Sequence, residues 1–224
     1  MYVRIQASPN GSCLFISLRL ALECNKVLDT PIFSSEEPNP CARAVINGQD
    51  PRVLKSSENL RSLIVQWYQR HLAREVPDLG TYVHNGRAWN RGDLIAVEMI
   101  SKQGDIPDEP NDPKRISAMH QYLTHIQRGA WGSTPEYTAF AFMANCIVEV
   151  YQVQTNALEC SNPEVQQVFL INCVRPTDAT RTVKLLYSGH NHYDLLVSQE
   201  EKQALLIRVP TSCIETRVTY VPKP

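Results

Sequence analysis

The chain has 224 residues, of which 43% are hydrophobic and 20% charged, and its formal net charge at pH 7 is −1. This composition is ordinary for a globular protein, and the length allows one domain to bury a substantial core. The near-neutral charge gives no electrostatic footprint for nucleic acid, and the sequence lacks the run of about 18 apolar residues typical of a transmembrane helix. We therefore expect a single domain over 1–224, with no nucleic-acid partner and no membrane segment.

Residues 2–6 alternate like a short strand, and residues 14–24 are good helix formers without Gly or Pro. Between them, Asn10 and Gly11 tolerate positive φ and predict a tight turn. Cys13 then lies where the turn passes into a helix. Backbone N–H groups at a helix N-terminus favour the thiolate and can receive an oxyanion, so this arrangement predicts a nucleophile. A buried structural cysteine at the start of a helix is the alternative.

Residues 25–56 contain many Pro, Ser and Asn residues and predict a long surface loop. Apolar residues recur at helical spacing over 58–75 and again over 94–102. An acidic, Pro-rich loop follows at 104–113. This stretch thus consists of two predicted helices between loops rich in helix-breaking residues.

The second half of the chain predicts two more helices and then a series of strands. One helix is capped by Asp112, starts at Pro113 and ends at Gly129, and the next starts near Ser133, with Glu136 completing a capping box. A nearly continuous apolar run over 146–153 predicts a strand that is covered on both faces. Further strands are predicted at 168–174, 182–187, 192–197 and 216–221, and 199–209 fits either a helix or a strand. Because the helices precede the strands without regular alternation, we predict an α+β class with helices around a small central β-sheet.

Two apolar runs near the C-terminal end flank a Ser-Gly-His-Asn turn over 188–191, which predicts a β-hairpin. His192 opens the returning strand. Residues i and i+2 of a strand project from one face, so His192 and Asp194 are predicted neighbours. Together with Cys13 they supply the nucleophile, base and orienting carboxylate of a thiol hydrolase. A surface histidine without a catalytic role is the alternative.

The cysteines are seven in number, and none forms a Cys-x-x-Cys pair. An odd, scattered set argues against a disulfide framework and a structural zinc site, and it fits a reducing cytosol. A zinc site assembled from distant Cys and His residues stays open. The sequence has neither a phosphate loop nor a dinucleotide fingerprint. We therefore expect no metal and no cofactor.

Three blocks in this order resemble the ovarian tumour (OTU) family of cysteine proteases. The first, Asn10-Gly11-Ser12-Cys13-Leu14-Phe15, is similar to the family's Asp-Gly-Asn-Cys-Leu-Phe. The second, Trp131-Gly132-Ser133-Thr134-Pro135-Glu136, is similar to a Trp-Gly-Gly-x-x-Glu block, and the third is His192-Tyr193-Asp194. The resemblance covers roughly residues 1–24 and 115–198.

Two positions of the first block depart from the family pattern. The family's Asp is Asn10 here, and the family's Asn before the cysteine is Ser12. Asn10 can shape the turn and form hydrogen bonds, but it cannot supply charge. We therefore expect Asp194 to orient His192, with Asn10 as the second candidate.

The resemblance implies a papain-like OTU fold in which residues 25–114 form an enlarged helical insertion. It also implies a deubiquitinase that cleaves isopeptide or peptide bonds after the C-terminal glycine of ubiquitin. In that reaction Cys13 attacks the carbonyl carbon, His192 transfers protons and Asp194 or Asn10 supports the imidazole. The backbone N–H groups of Gly11 and Ser12 would form the oxyanion hole, and an acyl-enzyme would be hydrolysed by water.

The expected partner is ubiquitin or a polyubiquitin chain, and we expect a monomer in the cytoplasm. If the chain is a pathogen effector or viral protein, the host cytosol is the expected location. Two other functions stay open. One is a ubiquitin-binding pseudoenzyme that does not cleave, and the other is a papain-like hydrolase of another peptide or of a ubiquitin-like modifier.

Overall fold

A computed structural model describes residues 2–5, 7, 11–24, 51–70, 72, 91–103, 106–107, 109, 111–153, 165–189, 191–198, 200–201 and 214–220. Three features predicted from the sequence lie outside the described residues, in whole or in large part. They are Asn10, most of the predicted loop over 25–56, and most of the undecided segment over 199–209.

The described residues contain five helices, and all five correspond to predicted ones. They are α1 (Cys13–Cys24), α2 (Pro51–Gln69), α3 (Arg91–Gln103), α4 (Pro113–Gln127) and α5 (Thr134–Ala144). The start of α2 is earlier than predicted because Pro51 occupies the first helical position, where its missing N–H costs nothing. The helix also ends earlier than predicted, at Gln69. Beyond this end, the Leu72 carbonyl accepts a hydrogen bond of 2.9 Å from the Gly92 N–H. This bond joins the chain after α2 to the start of α3.

The boundaries of α4 follow the predicted capping residues. Asp112 is the N-cap, and its side chain accepts a hydrogen bond of 2.7 Å from the Lys114 N–H. Pro113 follows at the first helical position. Gly129 adopts φ of 101°, the left-handed conformation that ends a helix at low steric cost.

Six strands among the described residues form one sheet, in the order β1-β5-β4-β2-β3-β6. They are β1 (Tyr2–Ile5), β2 (Cys146–Val153), β3 (Val165–Val174), β4 (Arg181–Tyr187), β5 (Tyr193–Ser198) and β6 (Ile214–Tyr220). The β2–β4 and β3–β6 pairs are parallel, and the others are antiparallel. Because β6 pairs with both β1 and β3, the sheet closes into a barrel. The α+β class is confirmed, and the closure of the sheet is a feature that the sequence did not predict.

Helix α1 lies at the centre of the protein. From Cys13 to Leu22 every side chain is buried, and the helix packs on β5, α2 and α5. A helix that is apolar on all sides is stable only when protein surrounds it. The α1 sequence, Cys-Leu-Phe-Ile-Ser-Leu-Arg-Leu-Ala-Leu-Glu-Cys, is mostly apolar, and the surrounding protein accounts for its stability. The nucleophile candidate is therefore held at the start of a rigid core element.

The two helices α2 and α3 lie within the predicted insertion over 25–114. Leu60, Ile64 and Tyr68 of α2 are buried in the same core as α1. Part of the insertion thus packs directly against the helix that carries Cys13.

Candidate active site

Cys13 occupies the first position of α1. The first helical hydrogen bond runs from the Ile16 N–H to the Ser12 carbonyl, over 2.8 Å. The N–H groups of the first turn have no acceptor within the helix. Hydrogen bonds from the backbone of Leu14 and of Cys13 itself lower the pKa of the thiol. The predicted support of the sulfur by a helix N-terminus is therefore present.

Burial has the opposite and larger effect on the same thiol. The Cys13 side chain is 1% exposed, and this desolvation raises its pKa above the ordinary value despite the backbone hydrogen bonds. The negative charge of Asp194 also raises it. The hydrogen bonds at the helix start favour the thiolate, as expected, but the effect of burial outweighs them. Cys13 is a thiol near neutral pH and requires a base to become a nucleophile.

The base candidate stands on the predicted hairpin between β4 and β5. The Ser188 N–H donates to the His192 carbonyl, and the His192 N–H donates to the Gly189 carbonyl, both over 3.1 Å. Gly189 and Asn191 adopt positive φ angles of 80° and 63°, which the short turn requires. His192 lies directly before Tyr193, the first residue of β5.

The hairpin packs against the start of α1. The Cys13 thiol donates to the Asn191 carbonyl over 3.5 Å, and a hydrogen bond from the Tyr193 backbone lowers the pKa of the same thiol. One turn further along α1, the Ser17 hydroxyl donates to the Tyr193 carbonyl over 3.1 Å. The sulfur therefore lies against the backbone on both sides of His192, although the two residues are distant in sequence.

His192 and Asp194 form the predicted pair. His192 Nε2 lies 3.0 Å from Asp194 Oδ1, as predicted from their spacing, although β5 begins at Tyr193, one residue later than predicted. The other ring nitrogen, Nδ1, is buried and has no hydrogen-bond partner among the described residues. When Nε2–H donates to the carboxylate, a neutral imidazole keeps Nδ1 as the acceptor that can take a proton. Asp194 thus orients the imidazole ring through Nε2, and Nδ1 stays available to accept a proton.

The carboxylate of Asp194 is completely buried and is held by strand β1 and the residues after it. Arg4 reaches Oδ2 with Nε at 2.8 Å and Nη2 at 2.7 Å, and the Ala7 N–H donates to Oδ1 over 2.8 Å. The role of Arg4 could not be predicted from the sequence. A lone cation in a short strand is a weak signal, and only the pairing of β1 with β5 brings it to Asp194.

The first sequence block packs against the second block and against Gly129, which precedes it. A Cβ atom on Gly11 would lie 2.2 Å from the Gly129 carbonyl oxygen, and one on Gly132 would lie 2.7 Å from Leu14 Cδ2. Position 11 therefore requires glycine because a backbone atom approaches too closely, whereas a larger residue at position 132 would displace the end of the Leu14 side chain. The Trp-Gly block thus packs directly on the helix that carries Cys13.

Glu136 of the second block is a structural residue. The Ser133 N–H donates to its Oε2 over 2.7 Å, which confirms the predicted capping interaction. The Tyr122 hydroxyl donates to Oε1 over 2.9 Å. Complete burial raises the pKa of Glu136 to about 7.

The part of the chain that the structure describes meets neither the requirements of a metal site nor those of a membrane-spanning helix. No group of three or more His, Cys, Asp and Glu side chains there is arranged to hold a metal ion. None of the described helices is both long enough and apolar enough to span a membrane.

No protein-family model and no curated protein matches the sequence. Solved structures do match the fold. The OTU domain protease of Farallon virus is similar with a TM-score of 0.46 and 12% identity, over 88% of this chain and 83% of that chain. The OTUD1 OTU domain is also similar, with a TM-score of 0.43 and 14% identity, over 88% of this chain and 86% of that chain.

Two further OTU structures are similar to this chain. An OTU deubiquitinase from Wolbachia pipientis has a TM-score of 0.44 and 16% identity, over 91% of this chain and 95% of that chain. The Hazara virus OTU bound to ubiquitin has a TM-score of 0.41 and 14% identity, over 88% of this chain and 80% of that chain. These are the family that the three sequence blocks resemble.

Of the predicted site residues, the structure brings together Cys13, His192 and Asp194, with Gly11 and Ser12 beside the cysteine. The role predicted for Asn10 stays a prediction because the residue lies outside the described ones. Arg61 of α2 also reaches the site, where it donates to the Gly11 carbonyl and the Ser12 hydroxyl. Nothing in the sequence indicates this contact.

Proposed function

We propose that the chain is a thiol-dependent deubiquitinase that cleaves the bond after the C-terminal glycine of ubiquitin. One observation carries the proposal: the Cys13 sulfur lies against the backbone around His192, whose Nε2 is bound to the buried Asp194. This arrangement has the three parts of a cysteine hydrolase, namely a nucleophile, a base and a group that orients the base.

The raised pKa of Cys13 determines the first step. His192 takes the thiol proton as the sulfur attacks the carbonyl carbon, because the resting group is a neutral thiol. Asp194 stabilises the imidazolium that forms. The tetrahedral intermediate then collapses, the C–N bond breaks, and His192 returns the proton to the leaving lysine amine. Water, deprotonated by His192, hydrolyses the resulting thioester and releases the C-terminal carboxylate.

The turn before α1 offers donors for the oxyanion of that intermediate. We expect the backbone N–H groups of Gly11, Ser12 and Cys13 to supply them, because these residues precede or begin α1 at the positive end of its dipole. Neutral backbone donors stabilise the developing charge without needing a metal ion. All groups used in this mechanism belong to the chain itself.

The identity of the substrate rests on the resemblance of the three sequence blocks to OTU proteases. The same resemblance supports the assignment of 25–114 as an enlarged helical insertion of a single domain. The cleavage chemistry rests separately on the geometry of Cys13, His192 and Asp194, so the two parts of the proposal can be tested apart.

The test is hydrolysis of ubiquitin that carries a fluorogenic amide at its C-terminus. We expect Cys13→Ala and His192→Gln to lose at least about 10³-fold in kcat/KM. Cys173→Ser is the matched control because Cys173 is a free, exposed cysteine on β3, and it should retain full activity. A wild-type protein that binds ubiquitin without hydrolysing it would overturn the proposal in favour of a binding protein. Turnover that survives Cys13→Ala would refute the nucleophile.

A further inference from the structure

Arg61 is a completely buried cation next to the candidate nucleophile. Its Nη2 donates to the Gly11 carbonyl over 2.9 Å and to the Ser12 hydroxyl over 3.0 Å. Its Nη1 donates to the Ile126 and Ala130 carbonyls over 2.8 and 2.7 Å. One guanidinium thus ties the turn before α1 to the C-terminal end of α4.

The surroundings of Arg61 compensate the cost of burying its charge. Glu58 Oε2 lies 3.4 Å from Nε, and the guanidinium carbon lies 4.0 Å from the centre of the Phe15 ring. The carbonyls at the end of α4 carry the negative end of a helix dipole. Burial lowers the pKa of Arg61, while the negative charges of Glu58, Glu136 and a Cys13 thiolate raise it. Arginine remains charged in such a site.

The contact of Arg61 with the Gly11 carbonyl fixes the orientation of the Gly11–Ser12 peptide. In a trans peptide the C=O and the following N–H point in opposite directions, and the described chain has no cis peptide bond. Because the Gly11 carbonyl points at Arg61, the Ser12 N–H points away from it. A glycine has wide conformational freedom, so this plane would rotate readily without a restraint.

Ser12 adds a second restraint on the same turn. Its hydroxyl accepts from Arg61 and donates to Glu58 Oε1 over 2.9 Å. Because Glu58 also pairs with Arg61, the three side chains form a closed group. Two of its members stand on α2, which begins in the segment that the family resemblance does not cover. Helix α2 therefore reaches directly into the candidate site.

We propose that Arg61 is a positioning residue that holds the Gly11–Ser12 peptide so that the Ser12 N–H faces the oxyanion. This inference rests on the proposed thiol chemistry of Cys13, but it does not depend on ubiquitin as the substrate. Arg61 itself touches no reacting atom. It acts through the turn, and Glu58 supports it from the exposed side.

The test compares two reactions of Cys13, of which only one forms an oxyanion. Acylation by p-nitrophenyl acetate passes through a tetrahedral oxyanion, whereas alkylation by iodoacetamide does not. Arg61→Lys keeps the positive charge but removes the planar fork that holds several carbonyls at once. We expect it to slow acylation by about 10- to 100-fold and to change alkylation by less than about twofold. Rates are read by intact mass, with Cys13→Ala as the blank.

Arg70→Lys is the matched control because Arg70 is an exposed arginine just after α2, bound only to Gln66 among the contacts described. It should react like wild type in both assays. If Arg61→Lys does not fold, Glu58→Gln supplies the test, since the Glu58 side chain is 47% exposed and its replacement should leave the core intact. We expect Glu58→Gln to slow acylation severalfold while alkylation stays unchanged.

Equal loss of both reactions in a folded variant would overturn the inference, because it would show an effect on the thiol rather than on the oxyanion. Unchanged acylation in Arg61→Lys, or in Glu58→Gln where that variant supplies the test, would overturn it as well. The ubiquitin amide assay is read in parallel. A wild-type protein that fails there but shows the selective loss of acylation would refute ubiquitin as substrate and keep the role of Arg61.

Discussion

The imidazole of His192 and the carboxylate of Asp194 meet at 3.0 Å, and Arg4 holds the same carboxylate from the opposite side. Asp194 thus belongs to two interactions at once. Its Oδ1 orients the candidate base, and its Oδ2 is paired with a cation on β1. A substitution at Asp194 therefore affects both the reaction and the stability of the fold.

Asp194→Asn should lower kcat by at least about 10²-fold, because an amide supports the imidazolium poorly and permits the wrong tautomer. It should also lower the free energy of unfolding by about 1–3 kcal/mol, since Arg4 loses its anionic partner in a largely buried site. Steady-state kinetics and urea denaturation measure the two effects. Arg4→Gln is the matched control: a similar loss of stability is expected, with a much smaller loss of kcat. Full activity in Asp194→Asn would transfer the orienting role to Asn10.

The reactivity of Cys13 should increase with pH. Burial raises its pKa, so the thiolate fraction is small at pH 7 and grows as the pH rises beyond the ordinary range of cysteine. The rate of alkylation by iodoacetamide, followed by intact mass from pH 6 to 10, should rise across the whole range. A plateau below pH 7 would show a preformed thiolate–imidazolium pair and contradict this account.

Glu136 should make the fold less stable as the pH rises from 4.5 to 7. Its pKa is raised from 4.5 to about 7 in the folded chain, so the folded state holds a proton that the unfolded state has already released. The stabilising contribution is complete below pH 4.5 and is lost as the pH approaches 7. It amounts to about 3 kcal/mol at most.

Urea denaturation at several pH values measures this dependence, with Glu136→Gln as the comparison. The amide cannot ionise, so the variant should show a flatter profile between pH 4.5 and 7. The same slope in both proteins would assign the pH dependence to other groups.

Two glycine substitutions should differ in a defined order. Gly11→Ala places a methyl group 2.2 Å from a backbone oxygen, which cannot move without displacing the end of α4. Gly132→Ala meets Leu14 Cδ2 at 2.7 Å, and the end of a side chain can shift. Gly11→Ala should therefore cost more activity, together with about 1–3 kcal/mol of stability. A larger loss in Gly132→Ala, measured by the same kinetics and denaturation, would contradict the geometry.

The features that could be predicted from the sequence are those encoded locally. Cys13 follows a turn and begins a helix, and His192 and Asp194 are two residues apart at a strand, so short-range rules sufficed for each. Alternation and helical periodicity likewise indicated the described helices and strands. The resemblance to a family then placed the distant residues in one site.

Other features depend on contacts between distant segments, and the sequence gives little sign of them. Arg61 looks like a polar residue of an amphipathic helix, and only the packing of α2 on the first turn of α1 buries it. The raised pKa of Cys13 has the same origin, because burial of the thiol depends on everything that surrounds α1. Closure of the barrel requires β6 to pair with β3 and also with β1, which is separated from it by most of the chain.

The most direct test of the central claim uses ubiquitin that carries an electrophile at its C-terminus, read by intact mass. Wild-type protein should gain one ubiquitin, Cys13→Ala should gain none, and Cys24→Ser should react like wild type because Cys24 lies at the other end of α1, roughly 16 Å away. An unmodified wild-type protein whose Cys13 still reacts with iodoacetamide would contradict ubiquitin as the substrate. An adduct that persists in Cys13→Ala would contradict the assignment of the nucleophile.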